Sequence, residues 1–192
     1  MTRVVALCEW GREVMLRNEV LNSKLQVVRH GLASGGGRGD AETRRRGPCF
    51  AEASQGKDFG TLRVAFFGRL DRTKGLQVLV GALRSMPELK MELHCHLIVP
   101  EELDAEMRTL LESLQGEPRI HVQPPVASNE VVRVMAGYEA VVVPSIWLET
   151  GPLVVLEAFA AGVPVLGSDL GGIAEWVSEG VDGLLVPPGD ID

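Results

Sequence analysis

The sequence predicts a doubly wound α/β domain over residues 61–192, a parallel sheet covered by helices on both faces. Three observations lead there. Short apolar runs alternate with helical patterns along this segment, which is the signature of strand–helix–strand units. The 22 glycines and 11 prolines, against 5% aromatics, suit a chain cut often by tight turns. With 45% hydrophobic and 23% charged residues, the composition is that of a soluble globular domain, not of a disordered or fibrous chain.

The strands expected in that segment are Leu62–Phe67, Leu93–Val99, Arg119–Val122, Ala140–Val143, Val163–Gly167 and Gly183–Val186. After the first, Leu76, Leu79, Val80 and Leu83 follow the three/four spacing of an amphipathic helix. The next helix is expected to open at Pro100, with Glu101, Glu102 and Asp104 in its first turn, where the helix dipole favours anions. Ser128 is placed to cap a third helix that buries Val131, Val132 and Met135. Pro152 suits the first turn of a fourth, which is apolar almost all round and reads as a core helix.

Upstream, Arg3–Cys8 reads as a strand, Glu9–Asn18 as a helix and Leu25–Val28 as a strand. One such unit buries too little to stand alone, so this stretch is expected to be the last piece of another domain. Residues 34–60 lack apolar periodicity and read as a flexible linker, its Arg38-Gly39-Asp40 and Arg44-Arg45-Arg46 strings solvated.

The net charge of −7 is uneven: +3 over residues 1–60 and −10 over residues 61–192. The acidic segment would repel a phosphate backbone, so nucleic acid is excluded as a partner. No apolar stretch approaches the ~18 residues of a membrane span. Val4–Leu7 is too short for a signal-peptide core, and three scattered cysteines fit reduced thiols; the expected location is cytoplasmic.

Ligands in open α/β sheets sit beyond the carboxyl ends of the strands, and three loops there carry chemistry. The first runs from Phe67 to Gly75: Gly68 lets the backbone turn, and Arg69 and Lys74 could neutralise a diphosphate. A plain surface loop is the competing reading. In the second, Pro144 to Gly162, Glu157 is the only charge on the fourth helix. An unpaired buried carboxylate costs several kcal/mol, so Glu157 must have a partner, be protonated or face a cleft. Glu149 leads into the same helix and can point to the same space, while the amides of Leu153 and Val154 would be free to hold an anion. Carboxylates grip hydroxyls and amides grip phosphate, which suits a sugar nucleotide. The third loop holds Gly171-Gly172, either a close approach to ligand or simply a tight turn.

These residues together resemble the donor-binding, C-terminal half of retaining GT-B glycosyltransferases, specifically glycosyltransferase family four, the group 1 glycosyl transferases. The matching residues are Gly68-Arg69 with Lys74-Gly75, Pro144-Ser145, Glu149 seven residues before Glu157, Gly162-Val163-Pro164, Gly171-Gly172, and Gly183 to Asp190. The resemblance implies that Arg69 and Lys74 bind the donor diphosphate and stabilise it as it leaves. It implies that Glu157 accepts hydrogen bonds from the ribose hydroxyls, and that Glu149 holds hydroxyls of the transferred sugar. Leu153 and Val154 would cap the phosphates, and the base would lie against Val122–Val126. No cofactor or metal is implied, only a nucleotide-diphosphate sugar as donor substrate, with retention of configuration. The acceptor, a glycan or lipid-linked hydroxyl, would be held by the other domain, with residues 1–33 its tail and the hinge. Any association with a membrane surface would belong to the full-length protein.

The sequence departs from that family in three places. The acceptor domain is nearly absent, and none of the four histidines matches the family's acceptor-side histidine. The chain stops at Asp192 where the family continues into further helices, so the segment reads as truncated at both ends and inactive alone. The tip of the second strand reads Ile98-Val99-Pro100-Glu101 instead of a glycine-rich turn. Two other function classes stay open: a nucleotide- or protein-binding module without chemistry, and a sugar-nucleotide epimerase of similar shape. His94 and His96 would share a strand face, but no third ligand follows at metal-binding spacing, so a packed strand is expected. Trp147 and Trp176 are likewise expected to be packing residues.

Overall fold

The computed structural model describes residues 4–6, 25–27 and 60–191. Near the amino terminus, β1 (Val4–Ala6) and β2 (Leu25–Val27) pair in parallel, as the two expected strands there require. The expected helix Glu9–Asn18, the hinge and the linker up to residue 59 lie outside the described residues.

Six parallel strands form the main sheet: β3 (Leu62–Arg69), β4 (Met91–Ile98), β5 (Ile120–Gln123), β6 (Ala140–Val143), β7 (Val165–Ser168) and β8 (Gly183–Val186). Their spatial order is β5-β4-β3-β6-β7-β8. The chain starts in the middle, winds outward through β4 and β5, then returns to the middle at β6 and winds the other way. Connections beside β3 and β6 therefore leave in opposite directions, and a crevice opens beyond their carboxyl ends.

Five helices connect these strands: α1 (Leu76–Ser85), α2 (Ala105–Leu114), α3 (Val131–Met135), α4 (Leu153–Ala160) and α5 (Gly171–Trp176). On one face, Val64, Phe66, Leu93 and Cys95 pack with Leu76, Leu79, Val80 and Leu83 of α1 and with Met107 and Leu114 of α2. On the other, Ala65, Phe67, Val141, Val143 and Val165 pack with Met135, Val155, Ala158 and Ile173. A fully buried leucine such as Leu83 contributes about 1.5–3 kcal/mol through burial. Both faces are covered, as expected of the doubly wound class.

Three helix starts differ from the sequence expectation. α2 begins at Ala105 and not at Pro100, because the Asp104 carboxylate accepts from the Met107 amide (2.8 Å) and caps the helix there. α3 begins after Glu130 with no side-chain cap; Ser128 lies in the preceding turn, closed by the Glu130 amide on the Ala127 carbonyl (2.8 Å). Pro152 caps α4 from outside, with Leu153 its first residue. α4 is also less buried than its composition suggests, since Leu153 is 44% exposed at the crevice. Among the described residues, no helix is long and apolar enough to cross a membrane.

Candidate functional site

The loop after β3 is built around Asp71, whose carboxylate accepts from the amide (2.8 Å) and hydroxyl (2.5 Å) of Thr73. Those bonds, with Arg69 and Lys74 nearby, hold the Asp71 carboxyl below its ordinary value. The short turn Arg72–Lys74 ends at Gly75, whose φ of 72° is a left-handed conformation. A Cβ at Gly75 would sit 1.7 Å from the Pro144 carbonyl oxygen, so only glycine lets the β3 and β6 loops meet. The Ile146 amide then donates to the Thr73 carbonyl (2.9 Å) and ties the two loops together.

That junction brings Lys74 and Glu149 together. The Lys74 ammonium lies 2.5 Å from Glu149 Oε1, with both side chains about three-quarters buried. Ser145, 1% exposed, donates from Oγ to the same carboxylate oxygen (3.0 Å). Lys74 and Glu149 line a cleft of about 250 Å³ together with Ser145, Gly151, Leu153 and Val154. Leu153 and Val154 are the first two residues of α4, where helix amides have no intrahelical acceptor, so the cleft combines a cation with free donors.

A second cleft of about 170 Å³ adjoins the first, sharing Phe67 and Val154 with it. Gly68, Ile98, Val126 and Glu157 line it. Burial pushes the Glu157 carboxyl above its ordinary value, and no described residue gives it a hydrogen bond or a counter-charge. Of the three choices that its sequence position left, Glu157 faces a cleft. His96 closes the wall: its ring stacks on Phe67 at 4.5 Å, with Nδ1 at 3.3 Å from the Pro124 carbonyl and Nε2 at 2.9 Å from the Tyr138 hydroxyl. A carbonyl can only accept, so Nδ1 carries the proton and Nε2 accepts from Tyr138. Desolvation holds the His96 pKa below its ordinary value, which keeps the ring neutral.

The structure thus divides the expected site residues into groups. Lys74, Glu149, Leu153 and Val154 share the first cleft, and Gly68, Val126, Val154 and Glu157 the second. Glu149 lines the first and Glu157 the second of these adjoining clefts. Arg69 is exposed at the end of β3 and lines neither cleft. Gly172 approaches protein and not open space: its amide donates to the Glu149 carbonyl (2.7 Å), and a Cβ would meet that oxygen at 2.7 Å. The glycine pair therefore seats the Glu149 loop. Trp147 corrects the packing expectation, since the tied loop leaves it 67% exposed, whereas Trp176 packs against the core. Sequence reasoning missed the Ser145 hydroxyl as the group that orients Glu149. It also missed His121, which pairs in register with His94 across β4 and β5 and so escapes any search along one strand.

Residues 51–192 match the family described as glycosyl transferases group 1. The chain belongs to that family. Among curated members, it is 33% identical over 140 residues to the D-inositol 3-phosphate glycosyltransferase of Pseudarthrobacter chlorophenolicus, covering 71% of this chain and 33% of that protein. The enzyme of the same name from a Mycobacterium species is 32% identical over 175 residues, covering 88% of this chain and 37% of the relative. The chain spans about a third of the length of these curated relatives. Among solved structures, HepE from Anabaena in complex with UDP and glucose superposes with a TM-score of 0.74 at 23% identity, covering 99% of this chain and 50% of HepE. Sucrose-phosphate synthase from Thermosynechococcus elongatus gives 0.74 at 25% identity, with 98% of this chain and 46% of the synthase covered. The fold is that of the Rossmann-like half of a GT-B glycosyltransferase, a part of a larger architecture.

Proposed function

We propose that this group 1 glycosyl transferase chain supplies the donor site of a retaining glycosyltransferase that uses a nucleotide-diphosphate sugar. The observation that carries the reading is the pair of adjoining clefts at the switch point, one holding the Lys74–Glu149 ion pair beside free helix amides, the other an unpaired carboxylate. In this reading residues 61–192 are the donor domain, and residues 1–33 the tail of an acceptor domain whose remainder holds a glycan or lipid-linked hydroxyl.

The ribose lies over Glu157, whose carboxylate accepts from both hydroxyls, and the base rests against Pro125 and Val126. The diphosphate crosses the shared wall at Val154 to the amides of Leu153 and Val154 and to Lys74. Arg69, exposed beside the crevice, swings onto the outer phosphate. Once Lys74 turns to the phosphate, Glu149 is released to hold hydroxyls of the sugar, still oriented by Ser145. The bond from the anomeric carbon to the diphosphate oxygen then breaks as the acceptor oxygen attacks from the same face. The acceptor proton passes to the departing phosphate, and neither glutamate forms a bond to the sugar. Each charge-assisted hydrogen bond here contributes ~1.5–3 kcal/mol.

Calorimetric titration with UDP, GDP and ADP, beside a Glu157→Ala variant, tests this reading. One diphosphate is expected to saturate the wild-type chain and to lose binding in the variant. A folded full-length protein that binds none of the three would overturn it.

A further inference from the structure

On the sheet face that carries α3 and α4, but over the edge pair β4 and β5, three potential metal ligands converge. Alternation along β4 puts Glu92 and His94 on one face, and the parallel register sets His121 of β5 directly beside His94. The two imidazole rings lie 4.8 Å apart. Glu92 Oε2 is 3.6 Å from His94 Nε2 and 3.9 Å from His121 Nε2, and one ligand atom from each of the three residues lies within 4.8 Å of the others.

Two further facts separate this cluster from an ordinary surface group. His94 Nε2 is buried and has no hydrogen-bond partner among the described residues, a costly state for a polar atom. The 3.6 Å gap to Glu92 is too long for a hydrogen bond, yet close to the spacing of about 3.3 Å between neighbouring ligands around a tetrahedral zinc ion. Glu92 and His121 are partly exposed, which leaves an open side for an ion to enter and for water to complete its coordination.

We propose that Glu92, His94 and His121 form a binding site for a divalent transition ion of the zinc class, which clips the edge strand β5 to β4. Two imidazoles and one carboxylate select zinc-like ions over magnesium or calcium, which prefer all-oxygen sites. Cys95 takes no part: burial pushes its thiol up to about 12, and it packs on the opposite face of the sheet. His96 takes no part either, since both ring nitrogens are engaged by Pro124 and Tyr138. The bound ion would replace the contacts that His94 lacks, and would stabilise the fold by binding the native state alone.

The test is a calorimetric titration of the full chain with Zn²⁺ near neutral pH, repeated on His94→Ala, His121→Ala, Glu92→Gln and His30→Ala. The expected result is one equivalent bound, with affinity reduced at least about tenfold by each of the first three changes and unchanged by the fourth. Co²⁺ should then give the visible absorption of a four-coordinate nitrogen–oxygen site, and Zn²⁺ should raise the unfolding midpoint of wild type but not of His121→Ala. Because His121 is partly exposed, its variant keeps the test valid even if His94→Ala fails to fold. A folded wild-type chain without saturable binding, or binding that survives both histidine changes, would overturn the proposal.

Discussion

The two clefts beyond the carboxyl ends of the strands meet the same physical problem in opposite ways. In the first, Lys74 and Glu149 neutralise each other and Ser145 completes the carboxylate's bonds, so the charges are satisfied before any ligand arrives. In the second, Glu157 is desolvated and unpaired. A ligand at the first cleft must therefore displace an existing partner, whereas one at the second supplies what is missing. In the proposed reading the difference teaches where affinity resides: a ribose hydroxyl would gain more at Glu157 than a phosphate would at Lys74, because only the latter must break an ion pair first.

The largest effect should come from the glycine that lets the β3 and β6 loops meet beside the first cleft. Gly75→Ala puts a Cβ 1.7 Å from the Pro144 carbonyl and forces alanine to a φ of 72°, so the β3 and β6 loops must part. A stability loss of about 3 kcal/mol or more is expected, together with loss of nucleotide binding, read by thermal unfolding and calorimetry. Next, Glu157→Ala should weaken nucleoside-diphosphate binding about a hundredfold while leaving the folded structure intact. An equal loss from a deoxyribose diphosphate would break the comparison, since the carboxylate would then not be reading hydroxyls.

Smaller and opposite effects should separate the members of the first cleft. Lys74→Met should cost about tenfold in diphosphate affinity. Glu149→Gln removes the competitor for Lys74 and should tighten diphosphate binding by about threefold, while the full-length enzyme loses transfer. The smallest effect concerns stability. The Glu157 carboxyl is raised in the folded state, so the native protein holds its proton to higher pH than the unfolded chain. That contribution is fully present below the ordinary glutamate pKa and is lost as pH rises through the folded value. Glu157→Gln should accordingly raise the unfolding midpoint slightly at neutral pH and leave it unchanged in acid. Ligand binding follows the reverse sign: ribose hydroxyls favour the charged form, so affinity should fall as pH drops through the raised value.

Much of the main domain was legible because its signals are local. The apolar run Leu62–Phe67, the three/four spacing of Leu76 to Leu83 and the Glu149–Glu157 interval each sit within one or two elements. The doubly wound class, the six strands and the cleft position of Glu157 follow from them. What was not legible depends on contacts across the sheet. Helix starts at Asp104 and Glu130 were set by which side chain or turn reaches the first free amides, and those partners are chosen by the backbone path. Gly172 is spent on the Glu149 loop because α5 begins beneath it, a proximity that only the fold creates. His121 joins His94 through strand register between segments 27 residues apart, which no spacing rule along the chain can express.

The most direct measurement compares the affinity of the best-binding ribonucleoside diphosphate with that of its 2′-deoxy analogue, on wild type and on Glu157→Ala. The ribose form should bind wild type at least about tenfold more tightly, and the variant should bind both equally weakly. Equal affinities on a folded wild-type chain would contradict the central claim that the unpaired carboxylate of the second cleft reads the ribose.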